Sequence, residues 1–214
     1  MTIKTNAIVV NNLKYGDNSL IVDLYTEKVG KQTAFIKGAL SKKSKMRAAL
    51  FQPLNILETD LHHRTSRQMQ RISNTQILFP LQQVHFNTVK SCIAMFTAEI
   101  IQKTLKEEEA NKELFTFLIN AVQTLDLNKT GTANFHIAFL IHYSRYLGFS
   151  LKHENMPMPQ IADITFNNLS GFLLNKQQRN TMTEYLLGRY AAHIEDFGEL
   201  KSFAVLQEVS NGVT

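Results

Sequence analysis

Alternation of apolar and polar positions dominates the first third of the chain. Thr5, Ala7 and Val9 alternate with Asn6, Ile8 and Val10, and Leu20, Val22 and Leu24 line one face of a second segment with Asp23 on the other. Ala34 and Ile36 oppose Thr33, Phe35 and Lys37 on a third, and Leu54, Ile56 and Glu58 share a face of a fourth that starts after Pro53. Ser66 to Ile72 forms a weaker, mostly polar fifth segment, expected to be half-exposed. A period of two over runs of this length predicts strands. Tyr15-Gly16-Asp17-Asn18 and Val29-Gly30-Lys31 supply turns between them. Five short strands in about 75 residues suit a small antiparallel barrel of the OB type, and an SH3-like barrel fits the pattern almost as well.

Near residue 80 the period becomes helical. Val89, Cys92, Ile93, Phe96 and Ile100 follow the i, i+3, i+4, i+7 rule, as do Leu114, Leu118, Ala121, Val122 and Leu125. Phe135 to Leu147 is apolar nearly all round, which predicts a helix in the middle of a bundle. Met182, Tyr185, Leu186 and Tyr190 mark a fourth helix, and Leu200, Phe203 and Leu206 begin a fifth. Residues 150–172, carrying Pro157, Pro159 and Gly171, read as a long connection. The expected fold class is therefore α+β with two domains. An N-terminal five-stranded OB-like β-barrel spans residues 1–80, and an all-α helical domain spans 81–214.

Composition narrows the functional classes. With 44% hydrophobic residues, 4 Pro and 9 Gly, the chain is too apolar and too poor in breakers to be disordered. No run approaches the ~18 consecutive apolar residues of a membrane span. The N-terminus lacks a long apolar run with a small-residue cleavage site, so no secretory signal is expected. A single cysteine, Cys92, excludes an internal disulfide and a Cys-based zinc cluster. A soluble protein of a reducing, cytoplasmic compartment is expected.

The net charge of +5 is unevenly placed. Residues 1–80 hold 12 Lys/Arg against 5 Asp/Glu, whereas residues 81–214 hold 11 against 13. Between Glu27 and Glu58 there is no acid, but Lys28, Lys31, Lys37, Lys42, Lys43, Lys45 and Arg47 all fall there. A second cluster, Arg64, Arg67 and Arg71, follows beside His62 and His63. Such density points to a polyanionic partner, usually nucleic acid.

Motifs for catalysis are scarce. Neither a P-loop nor a Rossmann fingerprint is present. Cys92 sits on an apolar helical stripe, which favours packing over nucleophilic chemistry. His136 and His142 lie about 240° apart on a helix, and His62 and His63 would point to opposite faces of a strand. Both pairs are expected to be surface or partner-facing groups rather than metal ligands. The barrel's acids, Asp17, Asp23, Glu27, Glu58 and Asp60, do not converge in sequence, and Glu107-Glu108-Glu109 is contiguous at a helix end. Neither metal nor cofactor is expected, and nothing argues strongly for hydrolysis.

The segment from Phe35 to Arg47 is the most informative. A strand ends at Lys37, Gly38 turns the chain, and a loop then carries four more cations. Lysine and arginine here would contact phosphates without reading bases. Of the barrel aromatics Tyr15, Tyr25, Phe35 and Phe51, some could stack on bases, with Phe35 and Phe51 expected in the core.

Tyr15-Gly16-Asp17-Asn18-Ser19, Tyr25-Thr26-Glu27-Lys28-Val29-Gly30, Lys37-Gly38-Ala39 with Lys43-Ser44, Gln52-Pro53-Leu54 and Leu57-Glu58 together resemble the N-terminal signature of the RecO family of bacterial recombination mediators. Leu200-Lys201-Ser202 with Val205-Leu206 is similar to that family's last helix. The resemblance implies an OB-fold followed by a helical domain and a protein without enzymatic activity. It implies binding to single- and double-stranded DNA, strand annealing, and action with the RecR-type ring protein to load recombinase onto strands covered by single-strand-binding protein. It also implies a cytoplasmic protein, associated with the nucleoid during repair.

By position, the resemblance makes Lys37, Lys42, Lys43, Lys45 and Arg47 the DNA-contacting candidates, while Arg64, Arg67 and Arg71 are candidates from charge clustering alone. It further implies an apolar pocket flanked by cations for the C-terminal tail of single-strand-binding protein, for which Arg145, Lys152, Arg179 and Arg189 are available. One departure is plain: many family members carry a four-cysteine zinc module, and the stretch from Gly148 to Phe172 has no cysteine. His153 alone cannot replace it, so Met156, Ile161, Ile164 and Phe166 must hold this connection. An RNA-binding OB-fold factor and, less well supported, a metal-dependent nuclease using Asp17, Asp23 or Glu58 are the alternatives.

Overall fold

The computed structural model describes residues 1–41, 48–106, 109–151 and 156–209. Lys42, Lys43, Lys45 and Arg47, like Glu107, Glu108, Lys152 and His153, lie outside the described residues. Two compact units emerge, one of residues 1–81 with 105–120 and one of residues 82–104 with 121–214.

In the first unit, β1 (Thr2–Tyr15), β2 (Ser19–Thr26), β3 (Gly30–Ile36), β4 (Ile56–His62) and β5 (Met69–Phe79) close into a barrel in the order β1-β2-β3-β5-β4. Closure needs one strand that serves two neighbours. The 14-residue β1 does this: Thr2–Ile8 pairs with β4, and Ala7–Tyr15 pairs with β2. A register shift between Val9 and Asn11 bends it where it changes partner. The remaining seam, β3 with β5, is parallel and short, Thr33 facing Met69 and Ala34 facing Gln70.

The alternation read from β2 and β3 holds. Leu20, Val22, Leu24, Ala34 and Ile36 pack inside with Ala7, Val9, Phe51, Leu61 and Ile72. At its end β2 stops alternating, because Tyr25 is also buried, its ring 6.1 Å from that of Phe115.

Two expectations need correction. β4 starts at Ile56, so Leu54, with φ 66°, precedes the strand instead of sharing its face with Ile56 and Glu58. Leu57 and Leu61 on the other face join the barrel core, and Leu54 and Ile56 are fully buried as well. The fifth strand runs from Met69 to Phe79 rather than ending at Ile72. Its second half is held by β4 through irregular pairing around Asn74, whose φ of 48° interrupts the alternation that would have revealed it.

Five α-helices are described: α1 (Thr88–Thr104), α2 (Lys112–Leu127), α3 (Phe135–Tyr143), α4 (Lys176–His193) and α5 (Lys201–Val209). Their starts are chemically marked. Asn87 Oδ1 accepts from the Lys90 amide, Asn111 Oδ1 from Leu114, and Asn175 forms a reciprocal capping box with Gln178. The start of α5 is capped from another helix. The Glu99 carboxylate of α1 accepts from the Lys201 and Ser202 amides and from the Ser202 hydroxyl. Burial pushes the Glu99 pKa up, but these bonds and nearby Lys103 outweigh it and hold the group below its ordinary value.

Helix α3 is buried on nearly every side, as its composition predicts. This overturns the expectation for His136, which is only 3% exposed. The Thr183 hydroxyl donates to the Arg179 carbonyl, so His136 Nε2–H must be the donor in its 2.9 Å bond to Thr183. The connection after α3 is held as expected by buried Met156, Ile161 and Ile164, with Phe166 stacked on Phe135 at 5.0 Å.

Candidate nucleic-acid interface

The outward face of β1, β2 and β3 carries the aromatic groups. Register places Leu13, Ile21 and Phe35 side by side, with Tyr15 one pleat further along. Leu13 is 60% and Tyr15 56% exposed, and the Tyr15 and Phe35 rings meet edge to face at 5.8 Å. Phe35 is thus half-buried on the outer surface, contrary to the core position expected for it, because it occupies the outward register between Ala34 and Ile36. Phe51 is in the core as expected. Gly16, at φ 58°, makes the tight turn that brings Tyr15 back beside Ser19. Lys37 follows β3 immediately and is exposed. Solvent-facing apolar groups bordered by a cation make a surface on which unpaired bases can stack.

The second feature lies at the β4–β5 loop. A cleft of about 390 Å³ is lined by Lys31, His63, Arg64, Arg67, Lys106 and Gln70, and among the described residues no carboxylate lines it. Its loop is built from inside. Gln70, buried at the start of β5, accepts from the Arg64 amide at 2.9 Å and donates to the carbonyls of Arg64 at 3.0 Å and Arg67 at 2.8 Å. The Arg67 amide also bonds the Arg64 carbonyl at 3.1 Å. On the other side, Lys31 Nζ donates to the Leu105 carbonyl at 2.9 Å. His62 braces the loop root, its ring bonded to Thr2 Oγ1 and Ser73 Oγ at 3.0 and 2.8 Å.

The expected cations therefore separate. Arg64 and Arg67 share the cleft, Lys37 stands by the aromatic face, and Arg71, exposed on β5 opposite His62, does not line the cleft. Lys31, which falls in the acid-free stretch but is not among the DNA-contacting candidates, and Lys106, outside both charge clusters, also line the cleft. Lys31 alternates outward on β3 and could have been found from its register. Lys106 had no local signal, since only the fold brings residue 106 beside residues 31 and 64.

Among the described residues, no three His, Cys, Asp or Glu side chains gather where they could hold a metal. Asp23 accepts from Thr33 Oγ1 at 2.7 Å, and Glu58 accepts from Gln76 and pairs with Lys4 at 3.1 Å. Cys92 is buried, and desolvation raises its thiol pKa, so it stays protonated.

The helical unit has its own larger cleft, of about 850 Å³. Val89, Leu127, Phe172 and Leu173 supply apolar walls, and Lys129 and Arg179, with Lys90 and Asp126, supply charged groups. Leu173 is 93% exposed. The floor is tightly fitted. A Cβ on Gly131 would sit 2.4 Å from the Ser170 amide nitrogen, and Asn134 Nδ2 donates to the Leu169 and Phe172 carbonyls at 3.0 and 2.7 Å. Asp126, fully buried, accepts from the amides of Gln82, Gln83 and Val84. Of the cations suggested for a partner pocket, Arg179 lines this cleft, and burial lowers its pKa. Arg145 lies instead over the Tyr146 ring at 4.8 Å. Among the described residues, no helix is long and apolar enough to cross a membrane.

Comparison with known proteins covers both units. Residues 1–81 match the family model "Recombination protein O N terminal", and residues 85–155 match "Recombination protein O C terminal". A protein of Flavobacterium psychrophilum named DNA repair protein RecO is 34% identical over 237 aligned positions, covering 98% of this chain and 99% of that one. Proteins of the same name from Christiangramia forsetii, 34% identical, and Bacteroides fragilis, 31% identical, each span 98% of this chain and 99% of their own length.

Proposed function

Because the chain belongs to the RecO family of DNA repair proteins, we propose that it is a non-enzymatic mediator that binds single- and double-stranded DNA through the barrel unit, without sequence preference. The observation that carries this is the pairing of an exposed aromatic face with a cationic cleft, lined by no acid among the described residues, on one closed barrel. Lys37, Arg64 and Arg67, with Lys31 and Lys106, neutralise phosphates. Tyr15 and Phe35 offer faces to unpaired bases. Lys42, Lys43, Lys45 and Arg47 extend the contact along the strand, and Arg71 adds charge on the far side of the loop. Two strands held this way repel one another less, and complementary strands anneal without covalent chemistry.

The helical unit serves protein partners in this proposal. Its cleft joins apolar walls to Lys129 and Arg179, the chemistry needed for an acidic, apolar-ended tail such as that of single-strand-binding protein. A RecR-type ring partner and recombinase loading follow from the family, with the protein acting in the cytoplasm at the nucleoid.

Counterion release makes the test quantitative. Five phosphate contacts on single-stranded DNA give a log–log salt slope of about −3.5, or roughly a hundredfold loss of affinity between 50 and 200 mM salt. Annealing of complementary oligonucleotides, bare and coated with single-strand-binding protein, is measured across that range without nucleotide or metal. Salt-sensitive acceleration supports the proposal. Absence of acceleration, with tighter binding to a structured RNA of equal length, overturns it in favour of an RNA-binding factor.

A further inference from the structure

We propose that the cleft at the β4–β5 loop is a preformed seat for a single phosphate group of a nucleic-acid strand, separate from the aromatic face, fixing one phosphate per barrel. This rests on DNA being the partner but goes beyond general charge attraction, because the cleft is built rather than merely basic. Four cationic side chains from three separate stretches of chain, Lys31, Arg64 with Arg67, and Lys106, line one recess, and none of its described lining residues is a carboxylate. In a solvated face, acids ordinarily intersperse with bases.

Order within the loop is the second observation. All three amide bonds of Gln70 are spent on the main chain between Arg64 and Arg67. That interior anchor makes the loop's shape independent of ligand, so little ordering entropy is lost on binding. Two guanidinium groups on a fixed turn present forked donors suited to phosphate oxygens, and the lysines add point charges. Thr65 also lines the recess and can donate a hydroxyl hydrogen bond. Tyr15 and Phe35 do not line it, so base stacking and phosphate seating are divided between two places on the barrel.

The ligand group can come from a strand terminus, as a monoester, or from the backbone, as a diester, and the experiment separates them. Isotope-labelled full-length protein is titrated with inorganic phosphate and followed by NMR at the Gln70 side-chain amide and the Arg64 and Arg67 backbone amides. Saturable shifts of these signals in wild type, lost in an Arg64→Gln/Arg67→Gln variant with unchanged melting temperature, support the seat. Binding of 5′-phosphorylated and 5′-hydroxyl oligonucleotides is then compared in wild type, the double variant and Lys37→Gln.

The double variant should bind at least about tenfold more weakly, and its salt slope should fall by about 0.7 on single strands, the share of one phosphate. Loss confined to the phosphorylated oligonucleotide identifies a terminal phosphate, and equal loss for both identifies the backbone. No saturable phosphate shift, with wild-type affinity and slope in the double variant, overturns the seat even if Lys37→Gln weakens binding and DNA remains the partner. Saturable shifts in a protein that binds neither oligonucleotide leave the anion seat standing but overturn its assignment to a nucleic-acid strand, together with the DNA proposal.

Discussion

His136 makes the helical unit acid-sensitive in a way that can be calculated. Burial, then the neighbouring Arg179 guanidinium, lowers its pKa from 6.5 to about 3. The imidazole is held neutral, its Nε2–H given to Thr183, so a second proton has no solvated place to go. Between pH 6.5 and 3 the unfolded chain binds this proton and the folded chain does not. Stability therefore rises with pH across that window and is lost as pH falls through it. Above about pH 7 the group is neutral in both states and contributes no slope. At about pH 4.5 the unfolded histidine is almost fully protonated and the folded one is not, which costs about 2.5 kcal/mol relative to pH 7.

The perturbation is His136→Gln, which keeps a donor for Thr183 but does not titrate. Urea unfolding of both proteins at about pH 7 and pH 4.5 gives a difference of differences, in which every carboxylate common to the two cancels. Wild type should lose about 2.5 kcal/mol more than the variant on acidification, whatever the variant's stability at neutral pH. Parallel pH dependences would refute the burial argument.

Other consequences concern the barrel and the helix caps. Gln70→Ala strips three bonds from the loop backbone and should cost about 2–3 kcal/mol in urea unfolding; a change within about 0.5 kcal/mol, ordinary for surface positions, would mean that the loop holds itself. Tyr15→Ala should leave stability nearly unchanged, because the ring is more than half exposed, yet weaken single-stranded DNA by about 1–3 kcal/mol per stacked base with a smaller effect on duplex. Equal loss on both substrates in fluorescence anisotropy would assign Tyr15 to something other than stacking. Glu99→Gln exchanges a charged cap of α5 for a neutral one and should lower stability by about 1 kcal/mol at neutral pH. That gap should close on acidification as wild-type Glu99 itself protonates, and a gap constant down to about pH 3 would refute the role of its charge.

Legibility in the sequence followed physical range. The inward faces of β2 and β3 were readable because strict alternation is a local property, and the stripe from Cys92 to Ile100 was readable for the same reason. In Leu54-Asn55-Ile56-Leu57, by contrast, apolar residues occur in both registers, and only pairing with β1 selects Leu57 for the interior. The end of β5 was hidden by irregular pairing around Asn74. For His136 the deciding partners stand on α4, more than forty residues away, so periodicity around the histidine could not disclose its protonation state. The cationic loop residues Arg64 and Arg67 were visible as charge, whereas the recess they form required Lys106 and Gln70, whose relation to them is tertiary.

The seam between β3 and β5 explains why charge and architecture coincide. β1 meets β2 through eight register pairs and β4 through seven, while β3 meets β5 through only two. Gln70, one of the two β5 residues paired at that seam, ties the adjoining β4–β5 loop to the start of β5. Lys31, Arg64, Arg67 and Lys106 gather around that seam, where the ladder is shortest. An anion bound in the recess meets these cations together in the folded state alone. By linkage it should stabilise the barrel as the barrel binds it, by about 2.7 kcal/mol at a hundred times its dissociation constant. The weakest join in the barrel is thus the one that its ligand would reinforce.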